Sequence, residues 1–262
     1  MSDDIILPEK KKFERLDTSW KGVVAARSGS GKTTLARHLG EKYGSLVLEG
    51  DKLRFIVLKE FPHVAQAVFG AVPHKDESGY EFAYRMYAAK AQQGVEALAE
   101  ADFRLFDETN QAIDKYISEI TIDLAKGKTL PEKYAKTVLH NPEVPTGGLV
   151  VEGIFTDGSS YLNRDTDVVI YLRTDDDKRN EKLANRLVKD EGFPPQALDV
   201  ILPAREKAYK RLSEKTKTSG LRLKNDYDKR SLDDNAASVE FVIKKLGLLQ
   251  AEKRKSQEDK EK

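Results

Sequence analysis

The chain has 262 residues, 34% of them charged, a length that suits one α/β domain with an appended subdomain. Lysine and arginine total 45 against 44 aspartate and glutamate, a net charge of +1, so no global field favours nucleic acid or an anionic membrane. No apolar run approaches the ~20 residues that a membrane helix needs, and the lack of cysteine excludes disulfides, a thiolate nucleophile and cysteine-ligated metal.

Residues 1–20 are polar and read as a lead-in, with Trp20 packing near the first strand. The opening MSDDIILPEKKKFERL has neither the apolar core nor the cleavage site of a secretion signal, which makes a cytoplasmic location the expectation. An apolar run from Gly22 to Ala26 then feeds a glycine-serine loop, followed by Gly31-Lys32-Thr33 and a helical stretch from Thr34 to Lys42, with Leu35 and Leu39 four apart. Strand, tight loop and helix N-terminus in that order are what a polyphosphate needs: loop N–H groups point inward and the helix dipole favours negative charge. The pattern is the relaxed form of Gly-x-x-x-x-Gly-Lys-Ser/Thr, with Ala26 in place of the first glycine. It makes Ser28, Gly29, Ser30, Gly31, Lys32, Thr33 and Thr34 candidate phosphate contacts. Lys32 can reach the β- and γ-phosphates and the Thr33 hydroxyl can hold Mg²⁺. A flexible Ser-Gly turn with a solvated lysine is the bland alternative.

A second strand, Ser45 to Glu49, ends in Gly50-Asp51. Tyr80 to Ala101 is alanine-rich and helical, Phe103 to Leu105 is a short apolar run ending at Phe106-Asp107, and Ile113 to Leu124 returns to helical spacing. Residues 126–148 form a loop rich in Pro, Gly and Lys. Leu149 to Val151 is a buried strand delivering Glu152-Gly153, and Asp167 to Leu172 is another. A charged helix from Asp176 to about Asp190 follows, then Pro194-Pro195, a helix to about Lys215, a short strand Leu221 to Lys224 and a closing helix Asn235 to Leu246. The tail AEKRKSQEDKEK reads as disordered. Continuous Val/Leu/Ile strands alternating with helices predict a parallel sheet covered on both faces, with ligands beyond the carboxyl ends of its strands.

The residues past those ends are therefore the candidates. Asp51 can accept a proton from an acceptor hydroxyl, sit near the metal, or cap the next helix. Glu152 stands where a second acidic residue would organise Mg²⁺, an ion that takes oxygen ligands; a solvated turn carboxylate is the alternative. Asp107 with Phe106 combines an acceptor and an aromatic face, or simply starts a helix. Arg179, Lys182, Arg186 and Lys189 fall on roughly one helical face, either a solvated stripe or a lid lowering cations over a transferring phosphate. The four histidines show no metal spacing, although His140 lies in the loop that could contact an acceptor.

With these residues in hand, most of 22–247 resembles the uridine kinase and phosphoribulokinase branch of the P-loop kinases. Gly50-Asp51 is similar to that family's Asp after the second strand, the base on the acceptor hydroxyl. FDETNQAID (106–114) resembles its sugar-contacting Phe-Asp-His-Pro-x-Ala-Phe-Asp, with Glu108-Thr109 for His-Pro. IDLAKGKTLPEKY (122–134) resembles its Lys-x-Gly-Lys turn and Pro-x-Tyr substrate loop, which would put Tyr134 at the acceptor. VVEGIF (150–155) is close to its Val-Glu-Gly-Ile strand end, and the helix 176–190 matches its lid. The resemblance implies a kinase domain over 21–248, with an acceptor-side helical insert at about 61–147, a lid at about 176–195 and a charged tail over 249–262. It further implies an ATP- and Mg²⁺-dependent transfer of the γ-phosphate to a hydroxyl of a nucleoside or other small hydroxylated metabolite. Lys32, Asp51, Arg179 and Arg186 would be the catalytic set. Two alternatives remain: a kinase acting within a polynucleotide, served by the lysine-rich segments 124–136 and 205–217, and a non-catalytic nucleotide-dependent regulator. No guanine-reading Asn-Lys-x-Asp is present.

Overall fold

The computed structural model describes residues 20–125, 139–140, 148–154, 166–214 and 220–258. In chain order these form β1 (Trp20–Ala25), α1 (Lys32–Tyr43), β2 (Leu46–Glu49), α2 (Gly50–Glu60), α3 (Pro62–Phe69), α4 (Gly79–Gln92) and α5 (Val95–Ala125). There follow β3 (Leu139–His140), β4 (Gly148–Gly153), β5 (Val168–Arg173), α6 (Asp176–Lys189), a single 3-10 turn at Pro195–Ala197, α7 (Leu198–Glu214), β6 (Leu221–Lys224) and α8 (Lys229–Glu258). The sheet order is β3-β2-β4-β1-β5-β6; every pair is parallel except β2 with β3 at the edge. The molecule is α/β, with the parallel sheet and strand–loop–helix opening of a P-loop fold.

Alternation along the strands builds two cores. Val23, Leu46, Leu48, Leu149 and Val151 face α2 to α5, while Val24, Val47 and Val150 face α1 and α8. A third cluster joins α4 and α5 to α6 and α7 through Leu98, Leu183, Leu187 and Ile201. Local signals set the helix starts. Ser78 and Glu81 form a capping box on α4, and Asp175 accepts from the amides of Asp177 and Lys178 at 3.1 and 3.2 Å to cap α6.

The structure departs from the expected elements at three places. The apolar run Phe103 to Leu105 is not a strand; it lies within the 31-residue α5, and Phe106 and Asp107 are mid-helix. The closing helix begins at Lys229, not Asn235, because the Asp228 carboxylate accepts the Ser231 amide at 2.6 Å and starts it earlier. It also runs on to Glu258, through residues whose composition suggests disorder but which are strong helix formers, Ala, Glu, Lys, Arg and Gln.

Candidate active site

β1 runs into the loop Ala26–Gly31, where Gly29 and Gly31 both have φ of 83°, a left-handed conformation that glycine takes without a Cβ penalty. Close approach adds to that requirement: a Cβ on Gly29 would lie 3.0 Å from the Arg179 carbonyl, and one on Gly31 2.3 Å from Asn225 Nδ2. Gly31 ends the loop at the start of α1, which carries no side-chain cap, so the first-turn N–H groups and the dipole are offered to an anion. The loop is braced from behind. The Tyr227 hydroxyl donates to the Gly29 carbonyl at 2.6 Å, Asn225 Nδ2 to the Ser30 carbonyl at 2.9 Å, and the Ser28 amide to the Tyr209 hydroxyl at 3.3 Å. Asn225 Oδ1 in turn accepts the Tyr227 amide at 2.9 Å and so supports that residue's own left-handed backbone, φ of 63°.

Lys32 is buried at the end of this loop, and its Nζ lies 2.9 Å from Asp51 Oδ2 and 3.7 Å from Glu152 Oε2. Parallel pairing explains the meeting: Glu152 on β4 stands level with Glu49 on β2 and Val24 on β1. Asp51 is not a helix cap. It lies one residue inside α2, its Oδ1 accepts the Ile154 amide at 2.9 Å, and Arg54 Nε is 3.5 Å away. Burial acts to raise the Asp51 carboxyl, but Lys32, Arg54 and the Ile154 amide outweigh it and hold the group below its ordinary value. Desolvation pushes Glu152 the other way, to about 7, aided by the charges of Asp51 and Glu49 and opposed by Lys32 and a hydrogen bond with Thr33. Burial works against the Lys32 ammonium, yet the two carboxylates more than compensate and raise its pKa.

Among the described residues no group of three or more His, Asp or Glu side chains is arranged to hold a metal. A hard divalent cation nevertheless fits the mouth of the loop. Glu152 Oε2 is buried without a hydrogen-bond partner among the described residues, and Thr33 hydrogen-bonds the same carboxylate.

Two cavities meet at Lys32 and Thr33. One, of about 500 Å³, runs from Gly29, Gly31 and Thr34 across to Lys182, Asn225 and Tyr227. The other, of about 290 Å³, has Ser28, Asp51, Arg54, Phe106 and Glu152 on its wall. Lys32, Thr33 and Arg186 line both. The phosphate loop, Asp51, Glu152, Arg186 and Phe106, all expected at the site, are thereby brought to one place.

Others are not. Asp107 sits on α5 beside Phe106 but is not among the residues lining the cavity. His140 belongs to β3, opposite Val47 at the sheet edge, not to a loop over the acceptor. Tyr134 lies outside the described residues. Arg179 packs against the loop, yet its side chain is tied to Asp176 at 3.3 Å and to Glu206 of α7, and it lines a third cavity with Arg27 and Tyr171 that touches the second at Ile154 and Tyr209. The cationic stripe was visible in sequence; Glu206, which pairs with Arg179, was not. Sequence reading also missed Arg54, buried under Asp51, whose Nη1 donates to Thr109 Oγ1 at 2.6 Å and Asn110 Oδ1 at 3.1 Å. It missed Asn225, Tyr227 and Tyr209 behind the loop. Only the three-residue spacing of Asp51 and Arg54 on one helix offered a signal.

No family model matches the chain, and no curated protein matches it in sequence. Among solved structures it is similar to TT1252 from Thermus thermophilus, with 14% identity over 85% of this chain and 96% of that one and a TM-score of 0.47. It is also similar to dephospho-CoA kinase from Campylobacter jejuni, with 16% identity over 87% and 98% of the two chains and a TM-score of 0.44. For shikimate kinase from Bacteroides thetaiotaomicron the identity is 12% over 86% and 98%, with a TM-score of 0.40. At such distances, the roles of the two cavities rest on their own residues. Among the described residues no helix is long and apolar enough to cross a membrane.

Proposed function

We propose that the chain is an ATP-dependent, Mg²⁺-requiring kinase that transfers the γ-phosphate to a hydroxyl of a small acceptor. One observation carries the reading: a cavity at the glycine loop and a cavity walled by a carboxylate share Lys32, Thr33 and Arg186. A donor phosphate held in the first would face an acceptor held in the second. Thr33 and Glu152 would hold Mg²⁺, which would supply positive charge to offset that of the phosphates.

The remaining work falls to the chain. Loop amides and the α1 N-terminus orient the phosphates, and Lys32 offsets the charge developing on the transferred group. Asp51, ionised and aimed by the Ile154 amide and Arg54, accepts the hydroxyl proton as the acceptor oxygen attacks. Arg186, which reaches both cavities, covers the transfer from α6.

A cavity of about 290 Å³ suits a single small molecule, so free metabolites are favoured over a base within a polynucleotide. Nucleosides belong in the test, although the segment that resembles the uridine-kinase sugar contact is here the middle of a helix. The test is ADP release across a panel of nucleosides, sugars and vitamins, with Lys32→Ala as control. Loss of Lys32 should cost on the order of 3 kcal/mol at the transition state, a rate loss beyond a hundredfold. Unchanged transfer by a folded Lys32→Ala protein overturns the proposal.

A further inference from the structure

The acceptor cavity holds a second polar cluster that the phosphoryl chemistry does not use. Asp102 of α5 is 2% exposed, and Arg205 of α7 lies 3.9 Å from it with a side chain 13% exposed. Both line the cavity. Tyr87 donates its hydroxyl to Asp102 Oδ1. Asp102 Oδ2 and Arg205 Nη1 have no hydrogen-bond partner among the described residues.

As a purely structural ion pair this is a poor one. Two charges have been taken from water, yet at 3.9 Å they gain no charge-assisted hydrogen bond, and well-packed apolar residues between α5 and α7 would be at least as stable. The other cations of the wall are engaged: Arg186 pairs with Glu191 at 3.0 Å, Arg54 with Thr109 and Asn110, and Lys32 with Asp51. Arg54 and Arg186 turn their Nε toward Asp51 at 3.5 Å and Glu191 at 3.0 Å, whereas Arg205 Nη1 has no partner among the described residues.

Aromatic side chains line the same cavity. Tyr84 and Phe193 stack at 4.8 Å between centroids with 40° between their planes, Phe55 and Tyr80 meet edge to face at 5.2 Å, and Phe106 lies beside Tyr209. Such walls accept a flat ring; a polyol would leave its hydroxyls unmatched there. Tyr209 connects the two ends of the cavity. It belongs to α7, one turn from Arg205, and interacts electrostatically with both Arg205 and Lys32.

We propose that Arg205, positioned by Asp102, selects the acceptor by binding an oxygen of a carboxylate or carbonyl group carried on a planar ring, whose hydroxyl is then presented to Asp51. Arg205 would touch the acceptor directly; Asp102 is a positioning residue that acts through it. This rests on the reading of the cavity as the acceptor's.

The test uses the full chain with Mg·ADP and three ring alcohols as probes: para-(hydroxymethyl)benzoate, para-(hydroxymethyl)benzamide and para-methylbenzyl alcohol, titrated by NMR. A charge-assisted hydrogen bond predicts that the benzoate or the benzamide, or both, bind about tenfold or more tightly than the methyl compound. If only the benzoate does, the group is a carboxylate; if both do, a carbonyl oxygen suffices. Arg205→Met should abolish the preference and leave Mg·ADP affinity unchanged, while Arg205→Lys, which keeps charge and stem, should retain part of it. Asp102→Asn should shrink the preference without weakening the methyl compound, a change that mere loss of packing does not produce. Equal affinity for all three probes, no binding of any of them, or a preference that survives Arg205→Met overturns the inference. Failure of the wild-type chain to bind Mg·ADP would instead strike the kinase reading.

Discussion

Lys32 Nζ donates to Asp51 Oδ2 across 2.9 Å, tying the end of the phosphate loop to the first turn of the helix after β2. The contact makes one charge system of two parts that the proposed chemistry needs together. It also keeps Asp51 anionic, since its pKa lies below the ordinary value despite burial. A base ionised at neutral pH is ready to take a hydroxyl proton, at the cost of low intrinsic basicity, so position must supply much of its effect.

Asp51→Asn is expected to keep Mg·ADP affinity within a few-fold, since the side-chain oxygen still accepts the Ile154 amide, while lowering kcat about a hundredfold or more. Rapid-quench or coupled ADP assays on any accepted substrate read this directly. A kcat near wild type would remove Asp51 from the proton transfer.

The two arginines of α6 should separate. Arg186 lines both cavities, and Arg186→Ala should lower kcat with little change in stability, because its side chain is 41% exposed and its partner Glu191 can turn to solvent. Arg179 is 1% exposed and held by Glu206 and Asp176. Arg179→Ala should therefore act first on folding, by about 2 kcal/mol, through the lost ion pairs and the space opened against Gly29. Urea midpoints alongside kcat distinguish the two; a catalytic loss for Arg179→Ala at unchanged midpoint would contradict the assignment.

The strand–loop–helix opening was legible because its signals are local. Glycine at 29 and 31 answers a backbone requirement, and the apolar period switches from strand to helix at Lys32. The carboxylates at 51 and 152 were legible for the same reason, since parallel strands bring the residues at their carboxyl ends to one edge of the sheet. Phe103 to Leu105 misled because a short apolar run does not distinguish strand from buried helix. In α5 the buried residues Leu98, Ala101, Asp102, Leu105 and Phe106 follow the helical spacing of three and four, and the helix needs its neighbours α2, α3, α4 and α7 to hold them. The far wall was illegible in principle. Asp102 meets Arg205, and Arg179 meets Glu206, only because α7 folds back, and no spacing in the chain records that.

Gly31→Ala tests the loop by sterics and by backbone at once. The added methyl would fall 2.3 Å from Asn225 Nδ2, and φ of 83° is unfavourable for alanine by about 1–2 kcal/mol. The variant should lose nucleotide affinity by about tenfold or more. Adding Asn225→Ala should relieve the clash but not the backbone cost, so recovery should be partial. Full recovery would assign the whole effect to the clash and none to the left-handed turn.

The last expectation concerns acid stability away from the site. Glu77 accepts Arg85 Nε and Nη2 at 2.8 and 2.9 Å and the His74 amide at 3.0 Å, pinning the segment that leads into α4. The Arg85 hydrogen bonds are the main cause of a pKa lowered from 4.5 to about 2, with the His74 amide adding to them against a small opposing effect of burial. Because the folded value is depressed, the folded state favours the ionised carboxylate. The contribution is complete above about pH 4.5 and is lost as pH falls through about 2. Arg85 is 44% exposed, so solvent screening holds the gain to about 1 kcal/mol or less. Glu77→Gln should then be less stable than wild type near pH 6 by that amount, and the gap should close near pH 2 as the wild-type carboxyl takes up its proton. Urea unfolding of the two proteins across this range measures the difference directly. A gap that stays constant with pH would mean that the Glu77 charge adds nothing beyond what a neutral side chain supplies by packing and hydrogen bonding.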